Sequence, residues 1–351
     1  MDVRDFDFDL PAALIAQEPA TERGGSRLLS VNRDTGALTH STIAALPGLL
    51  EAGDLLVINN TRVFPARLIG RRVPSGGRVE CLLIGHLQGD EWEALVHPGQ
   101  KLKPGAQAVF EGASPSGNTL RCEIVGRRFH GRRLVRLWTD DGVTVNEAVD
   151  AIGHVPLPPY IKRDDRDADR DRYQTIFARS RGSIAAPTAG LHFTPSIVAA
   201  CAARGVEIAE ITMHVGYGTF QPVRVEHVED HTIAPERYEI GSAAADAINA
   251  ALAGGRRVVA VGTTTTRTLE AVACEHDGRI VAGMGVAGLF IYPGFVFRVV
   301  AGLLTNFHLP RSSLLMLVAA FGGRERVLEA YRTAIAERYR FYSYGDAMLV
   351  L

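Results

Sequence analysis

The chain of 351 residues contains few cysteines, and their spacing matches no common cysteine motif. Cys81, Cys122, Cys201 and Cys274 lie far apart and form no C-x-x-C pair. This spacing argues against a zinc cluster and against a disulfide framework. We therefore predict reduced cysteines and a cytoplasmic protein.

The sequence also lacks a long hydrophobic run and an excess of either charge. The longest apolar helix candidate, residues 314–321, is too short to cross a bilayer. Residues 1–9 are acidic and do not have the apolar core of a signal peptide. A net charge of -1 argues against nucleic-acid binding by the whole surface, but it leaves room for a local basic patch. We predict a soluble protein without membrane contact.

The pattern of short strands divides the chain into two kinds of sequence. Residues 63–153 contain brief strand-like runs separated by clusters of Gly, Pro, Ser and Asn, which is typical of a small barrel or sandwich. The flanking segments alternate between strand and helix patterns. We therefore predict an α/β main domain, residues 1–62 and 154–351, with a small all-β barrel inserted at residues 63–153. In the main domain we expect strands at 206–213 and 257–261 and helices at 197–204, 243–252, 269–274 and 324–338.

Two motifs are predicted to have no special function. Residues 283–288 match G-x-G-x-x-G, but they run into the strand-like residues 289–292 and not into a helix. A dinucleotide fingerprint requires the helix, so we reject that interpretation. Residues 162–172 alternate in charge, which predicts a solvated segment or, as a second interpretation, a mobile loop near a polyanion.

Three short segments combine a histidine with Thr or Asn and a nearby aromatic residue. They are residues 185–194, 213–220 and 305–310, which contain His192, His214 and His308. Histidine is suited to proton transfer near neutral pH, and three such segments predict one site built from loops. Each histidine could instead be a hydrogen-bonded structural residue. A zinc site is disfavoured because no H-x-x-x-H pair or neighbouring carboxylate accompanies them.

Residues 262–267 predict a second element of the site. A strand, a Thr-rich turn and a helix start place free N–H groups and hydroxyls together, a geometry that binds carboxylates or phosphates. Arg267 could hold a carboxylate with two hydrogen bonds. The alternative is that Thr265 or Thr266 only caps the helix. The absence of a Gly-Lys-Ser/Thr sequence excludes a P-loop.

Glycines and aromatics supply further candidates. Gly216 and Gly218 would let backbone approach a ligand, although a plain tight turn has the same composition. Aromatic faces in residues 340–346 could hold a base or a sulfonium cation, or could simply close the core. Arginines of the insert fit contact with a phosphate backbone, or alternatively a charged hairpin tip.

Many separate sequence motifs occur in one particular order along nearly the whole chain. They lie at residues 9–11, 26–29, 61–63, 65–68, 154–161, 173–175, 185–194, 214–220, 261–270, 292–294, 305–310 and 339–348. In these blocks the chain resembles the S-adenosylmethionine:tRNA ribosyltransferase-isomerase family of queuosine biosynthesis.

The resemblance implies a reaction and its partners. The ribosyl part of S-adenosylmethionine would move onto the aminomethyl group of 7-aminomethyl-7-deazaguanine at the wobble position of tRNA. The products would be epoxyqueuosine in the tRNA, free adenine and methionine. S-adenosylmethionine would be a co-substrate, tRNA the macromolecular partner, and no metal or other cofactor is implied. We further expect a monomer.

This chemistry suggests roles for the candidate residues. The ribose carbon beside a sulfonium is unusually acidic, so a positioned base could remove its proton. The candidate acids and bases are His192, His214 and His308, with Asp346 and Glu270 behind them. The candidate substrate-binding residues are Arg62, Thr188, Gly190, Phe193, Gly216, Gly218, Thr219, Phe220, Thr263, Thr264, Arg267, Asn306, Phe307 and Tyr342. The candidate tRNA-binding residues are Arg67, Arg127, Arg128, Arg132 and Arg133.

The chain departs from the family pattern at three positions. Asn60, Ala234 and Ala301 stand where the family usually has Asp, His and Asp. Two other hypotheses therefore accompany the first: a methyltransferase-like enzyme, which lacks support because no Gly-rich loop follows the first strand, and an inactive RNA-binding module.

Overall fold

The computed structural model describes residues 1–112, 119–220 and 223–351, without the side chains of His130, Thr219 and Phe220. The strands are β1 Arg27–Val31, β2 Leu38–Thr42, β3 Leu55–Asn59, β4 Thr61–Val63, β5 Arg67–Val73, β6 Arg78–His86, β7 Glu91–His97, β8 Gln107–Glu111, β9 Thr119–Arg127, β10 Arg132–Thr139, β11 Ser180–Ser183, β12 Glu207–Met213, β13 Glu236–Ile240, β14 Val258–Val261, β15 Gly283–Ala287, β16 Gly302–Asn306 and β17 Ala347–Val350. The α-helices are α1 Leu46–Leu49, α2 Val145–Ile152, α3 Asp167–Arg172, α4 Pro195–Ala203, α5 Ser242–Ala253, α6 Thr263–Glu275, α7 Ser313–Gly322 and α8 Arg324–Ala336. Single turns of 3-10 helix include Phe129–Gly131, Thr188–His192 and Tyr217–Phe220.

A large mixed sheet forms the main body, in the order β15-β13-β12-β3-β14-β16-β17-β1-β2. Strands β3 and β14 are apolar and buried along their length, as expected for strands covered on both faces. The four neighbouring strands β12, β3, β14 and β16 are parallel. Their carboxyl ends therefore share one edge of the sheet, the edge where open α/β sheets bind ligands.

Helices cover both faces of this sheet. Helix α6 is buried from Thr263 to Ala273, and it packs with α7 and α8 in the larger of the two apolar clusters that flank the sheet. Helix α4 contributes Ile197 and Cys201 to the other cluster. Because burying one large aliphatic side chain contributes about 1.5–3 kcal/mol, these clusters account for much of the fold's stability.

The inserted segment forms a closed antiparallel barrel in the order β10-β7-β6-β5-β8-β9. Its strands alternate as a barrel requires: in β9, Leu120, Cys122 and Ile124 point into the buried interior. The predicted fold class, an α/β body with a small all-β barrel, is confirmed. The exact domain boundaries stay a prediction. Arg67, where the barrel begins, exchanges two backbone hydrogen bonds with His154, where the chain returns (3.2 and 2.8 Å).

Several local predictions were wrong. Residues 283–287 form strand β15, and residues 289–292 are not a strand; pairing with β13 overrides the weak strand preference of glycine. Helix α6 begins at Thr263, six residues before the predicted start, because the hydroxyls of Thr265 and Thr266 bond back to the carbonyls of Val261 and Gly262. Helix α5 begins at Ser242, one residue before the predicted start.

The alternating charges of residues 162–172 are only partly solvated. Helix α3 carries Asp169, whose carboxylate is buried and accepts hydrogen bonds from Arg163 (2.7 and 2.9 Å). The hydroxyl of Tyr344 donates to the same carboxylate (2.8 Å). This segment is therefore fixed to the core through one buried ion pair.

Candidate active site

A cleft of about 620 Å³, here called the ligand cleft, lies at the carboxyl edge of the parallel strands. It is lined by Pro159, Tyr160, Tyr173, residues 185–189, Val215, Val223, residues 262–264, Thr305, Asn306, residues 308–314, Tyr342 and Ser343. Of the residues predicted from sequence, the cleft brings together Thr188, Thr263, Thr264, Asn306, His308 and Tyr342.

The amino end of α6 forms one wall of the ligand cleft. Gly262 takes a positive φ of 96°, which allows a sharp turn from β14 into the helix. No side chain caps this helix end, so its first N–H groups are left for another acceptor. The hydroxyl of Thr264 is buried beside them and makes no hydrogen bond with the described residues. The wall is thus equipped to bind an anionic group.

Asn306 and His192 form a pair behind the cleft. The amide nitrogen Nδ2 of Asn306 donates to Nε2 of His192 (3.1 Å) and to the carbonyl of Tyr342 (3.0 Å). Its oxygen Oδ1 is buried without a partner among the described residues. Burial, with a further contribution from Arg340, lowers the pKa of His192 to about 4, so this ring is neutral. His192 itself does not line the ligand cleft; it borders a small cavity with Arg23 and Tyr344.

His308 is the predicted histidine that lines the ligand cleft. Its Nε2 contacts the hydroxyl of Thr305 (2.8 Å), and its backbone N–H donates to the hydroxyl of Tyr331 (2.9 Å). Burial lowers the pKa of His308 to about 3. The ring is therefore neutral, and Nδ1 is the nitrogen that could face a ligand.

Two stacked tyrosines form an aromatic wall. The rings of Tyr160 and Tyr342 lie 4.2 Å apart at an angle of 28°. Tyr342 has a positive φ of 72°, rare for a bulky residue, and its buried hydroxyl lacks a partner in the described chain. Burial raises the pKa of the Tyr342 hydroxyl far above its usual range, so it is a neutral donor. Strained, unsatisfied groups of this kind are typical of binding sites.

A second cleft, of about 490 Å³, lies where the barrel meets the main sheet, and we call it the junction cleft. It is lined by Phe64, residues 84–87, Trp92, Glu93, Arg132, Asn146, Arg181, Gly182, residues 214–218 and residues 234–237. Val215 borders both this cleft and the ligand cleft, so the two are neighbours.

His214 belongs to the junction cleft. Its Nδ1 contacts the hydroxyl of Thr61 (2.8 Å), and its ring lies flat against Gly182, where a Cβ atom would sit 2.6 Å from the ring. Burial, followed by the charge of Arg237, lowers the pKa of His214. The three predicted histidines thus occupy three different cavities and not one.

Arg267 is not positioned to receive a ligand. Its guanidinium is buried in an ion pair with Glu236, and burial lowers its pKa to about 10. The other carboxylate oxygen of Glu236 accepts the N–H of Gly216 (2.6 Å). This pair connects α6, which carries one wall of the ligand cleft, to the glycine loop of the junction cleft.

Other predicted residues lie outside the two clefts. The carboxylate of Glu270 accepts hydrogen bonds from the backbone N–H groups of residues 298–300 (2.8–3.0 Å). The carboxylate of Asp346 accepts hydrogen bonds from the backbone N–H groups of Arg27 and Arg340 (3.0 and 2.8 Å). These bonds point to structural roles and not to proton transfer.

The remaining predicted substrate-binding residues have varied surroundings. Phe193 and Phe307 are buried among other aromatic rings, and Gly190 packs against Thr175. Arg62 is exposed on β4. Gly218 lines the junction cleft, whereas the side chains of Thr219 and Phe220 lie outside the described residues.

The predicted tRNA-binding arginines differ in how free they are. Arg67 pairs with Glu80 (2.8 Å) and Arg132 with Glu93 (3.1 Å). Arg133 is buried and donates to backbone carbonyls, while Arg127 and Arg128 are exposed. Of these five arginines, only Arg127 and Arg128 have exposed side chains that make no ion pair or hydrogen bond in the described part of the chain.

The sequence-based site prediction did not include Tyr160, Thr61 and Glu236. The contacts of Thr61 and Glu236 could not be predicted without a fold, because their partners are distant in sequence. Tyr160 and Thr61 lie in the sequence blocks at residues 154–161 and 61–63, and those blocks were the available signal.

The three departures from the family pattern have different surroundings. Asn60 bonds to Glu210 (3.3 Å) and Thr212 (2.7 Å) outside both clefts. Ala301 precedes β16, at the opposite end of that strand from Asn306. Ala234 lines the junction cleft.

Two features are absent from the described ranges: a helix that could span a membrane and a group of side chains that could hold a metal ion. Residues 1–112, 119–220 and 223–351 contain no helix with the length and hydrophobicity of a membrane span. Within the same ranges, no group of three or more His, Cys, Asp or Glu side chains is arranged to hold a metal ion.

Comparisons with known proteins agree along the full length. A family model described as queuosine biosynthesis protein matches residues 3–350. Curated relatives named S-adenosylmethionine:tRNA ribosyltransferase-isomerase include those of Desulfitobacterium hafniense (50% identical over 351 residues) and Moorella thermoacetica (49% over 351 residues), with all of both chains covered in each case. A solved S-adenosylmethionine tRNA ribosyltransferase from Thermotoga maritima is similar in structure, with a TM-score of 0.55 and 36% identity over 99% of this chain and 100% of that one.

Proposed function

The chain belongs to the queuosine biosynthesis protein family, and from this premise we infer that it is an enzyme with S-adenosylmethionine:tRNA ribosyltransferase-isomerase activity. It transfers and isomerises the ribosyl group of S-adenosylmethionine onto 7-aminomethyl-7-deazaguanine at the wobble position of tRNA. The products are epoxyqueuosine in the tRNA, adenine and methionine.

One observation carries the assignment of the ligand cleft to S-adenosylmethionine. The uncapped amino end of α6 and the unpartnered hydroxyl of Thr264 stand in the same cleft as the stacked rings of Tyr160 and Tyr342. A helix amino end binds a carboxylate, and aromatic faces attract a sulfonium or stack on adenine. S-adenosylmethionine carries all three groups, so its methionine carboxylate would sit at Thr263 and Thr264.

His308 is the candidate for proton transfer in this cleft. A neutral ring can accept the proton from the ribose carbon next to the sulfonium, and it does not repel that cation. Asn306 Oδ1 and the Tyr342 hydroxyl supply a neutral acceptor and a neutral donor for the ribose or the leaving adenine.

The junction cleft is the candidate site for the RNA base. It adjoins the ligand cleft at Val215, so an amine on a base held there could reach the ribose. His214 and the backbone of Gly216 and Gly218 line it and offer hydrogen-bonding groups of the kind that read an unstacked base.

Product analysis tests the function. The purified protein is incubated with S-adenosylmethionine and tRNA carrying the precursor base, and adenine and methionine are measured. Release of both supports the proposal, whereas S-adenosylhomocysteine would indicate a methyltransferase. Binding of tRNA by a folded protein without adenine release would indicate an RNA-binding module and refute the proposal.

Three finer expectations belong to this proposal. The protein acts as a monomer, which sedimentation velocity checks. It needs no metal, so activity persists after treatment with a chelator. The barrel of residues 63–153 is a separate inserted domain, which limited proteolysis near its ends checks.

A further inference from the structure

The turn between β9 and β10 carries an exposed aromatic side chain. Phe129 is 88% exposed, the highest value among the large apolar residues of the described chain. Singly exposed apolar residues are common and need no explanation by themselves. Three further features distinguish Phe129: its charged neighbours, the rigidity of its turn and its position beside the junction cleft.

The neighbours of Phe129 are two uncompensated cations. Arg127 and Arg128 are exposed, and no ion pair among the described residues includes either of them. By contrast, Arg132 on the far side of the turn is paired with Glu93. The turn therefore offers an exposed ring next to two unpaired positive charges, a combination suited to stacking on a base while contacting phosphates.

The turn is held in shape from inside. The buried guanidinium of Arg133 donates to the carbonyls of Gly131 (3.0 Å), Arg132 (3.1 Å) and Gly99 (3.1 Å). Gly131 takes a positive φ of 79°, and the N–H of Arg128 closes the turn on the carbonyl of Arg132 (2.9 Å). A fixed turn lowers the entropy cost of binding, because the aromatic residue is presented before the partner arrives.

The turn stands beside the junction cleft. Arg132 and Glu93 line that cleft, and Phe129 precedes Arg132 by only three residues, at most about 11 Å along the chain. An RNA loop whose wobble base enters the junction cleft would bring its neighbouring unpaired bases to this turn.

We propose that Phe129 is a stacking platform for an unpaired base next to the wobble base, and that Arg127 and Arg128 contact the adjoining phosphates. This inference rests on the proposed function, since it takes the RNA substrate as the partner. In this proposal Arg133, which the sequence analysis also named for tRNA binding, has the separate role of supporting the turn.

The test uses the full-length protein and an anticodon stem-loop RNA in which 2-aminopurine replaces one unpaired base flanking the wobble position. Stacking quenches 2-aminopurine fluorescence, so titration gives both a dissociation constant and a stacking signal. Phe129→Ala is expected to raise the dissociation constant about 5- to 100-fold and to abolish the quench. Phe129→Trp is expected to retain both. Met284→Ala, at another highly exposed apolar residue, is the matched control and is expected to change neither.

Salt dependence separates the charged contacts from the stacking contact. In Arg127→Gln/Arg128→Gln the slope of log affinity against log salt is expected to fall by about 1.4 to 1.8, since each lost phosphate contact removes about 0.7–0.9. Phe129→Ala is expected to leave the slope unchanged.

Wild-type affinity and wild-type quench in Phe129→Ala would overturn the proposal. An effect of Phe129→Ala on self-association alone would also overturn it. Measuring adenine release distinguishes a failure of this proposal from a failure of the proposed function. If wild-type protein binds and quenches the RNA but releases no adenine, the function fails and the stacking platform stands. If Phe129→Ala releases adenine at the wild-type rate under subsaturating RNA, the platform fails and the function stands.

Discussion

Asn306 is hydrogen-bonded to His192 through its amide nitrogen, which leaves the buried amide oxygen of Asn306 without a hydrogen-bond partner among the described residues. His192, the most conspicuous residue of its sequence segment, therefore acts on the cleft through another side chain. We propose that His192 is a positioning residue and that His308, which lines the ligand cleft, is the histidine that contacts the substrate.

This relationship predicts energetic coupling. We expect His192→Ala and Asn306→Ala each to lower kcat/KM for S-adenosylmethionine about ten-fold, and the double variant to be little worse than either, because residues that act as a unit are not additive. His192→Gln, which keeps an acceptor for Asn306, should retain more activity than His192→Ala. Additive losses in the double variant would show that the two residues act separately.

Thr264 should govern the affinity for S-adenosylmethionine. Thr264→Val keeps the shape but removes the hydroxyl, so we expect KM for S-adenosylmethionine to rise about 10- to 100-fold, the range for a lost hydrogen bond to a charged group. RNA affinity should not change. Thr264→Ser, which keeps the hydroxyl, is the control, and an equal rise of KM in both variants would count against a carboxylate at this position.

His308 should matter for turnover itself. We expect His308→Ala to lower kcat at saturating substrates by at least about 100-fold, the lower end for loss of a general base or acid. Urea unfolding should show a folded protein. A kcat within about two-fold of wild type would rule out His308 as the proton acceptor.

Acid should destabilise the protein through its buried histidines. The folded-state pKa values of His192 and His308, about 4 and about 3, lie below the ordinary value of 6.5. The unfolded chain therefore binds protons that the folded chain does not, and stability falls as the pH drops from about 6.5 toward 4. His308→Gln should reduce this dependence by about 1.4 kcal/mol per pH unit. Urea unfolding at pH 6, 5 and 4.5 measures the slope; equal slopes for both proteins would contradict the assignment.

The buried pair of Glu236 and Arg267 should be expensive to break. Glu236→Gln leaves the guanidinium of Arg267 buried without its counter-charge, and we expect a loss of about 3–5 kcal/mol in the free energy of unfolding. The double variant Glu236→Gln/Arg267→Met should recover part of that loss. A loss below about 1 kcal/mol in the single variant would mean that the pair is solvated in solution.

Local periodicity predicted the barrel and strands β12 and β14 of the main sheet, because the alternation or run of apolar residues that marks a strand is visible directly in the sequence. It could not predict the early start of α6, since the hydroxyls of Thr265 and Thr266 donate to carbonyls four residues earlier, at the end of β14 and in the turn that follows it. The burial of Asp169 was hidden in a run of charges, because its partner Tyr344 is distant in sequence.

Site prediction failed in a similar way. The three histidine segments were expected to converge on one site, yet the strand order distributes them over neighbouring cavities. His214 follows β12, His308 follows β16, and His192 lies behind Asn306. Thr263, Thr264 and Tyr342 do line one cleft, because each lies beside the end of a strand at the same sheet edge, and their role as substrate-binding residues stays a prediction.

The reciprocal backbone bonds between Arg67 and His154 make the two ends of the barrel segment immediate neighbours. The inserted segment therefore leaves and rejoins the main domain at adjacent positions, as a short hairpin loop would. Changes of length or sequence within the barrel need not alter the strand register around the ligand cleft. Selection can thus change the surface of the barrel while the ligand cleft is inherited unchanged.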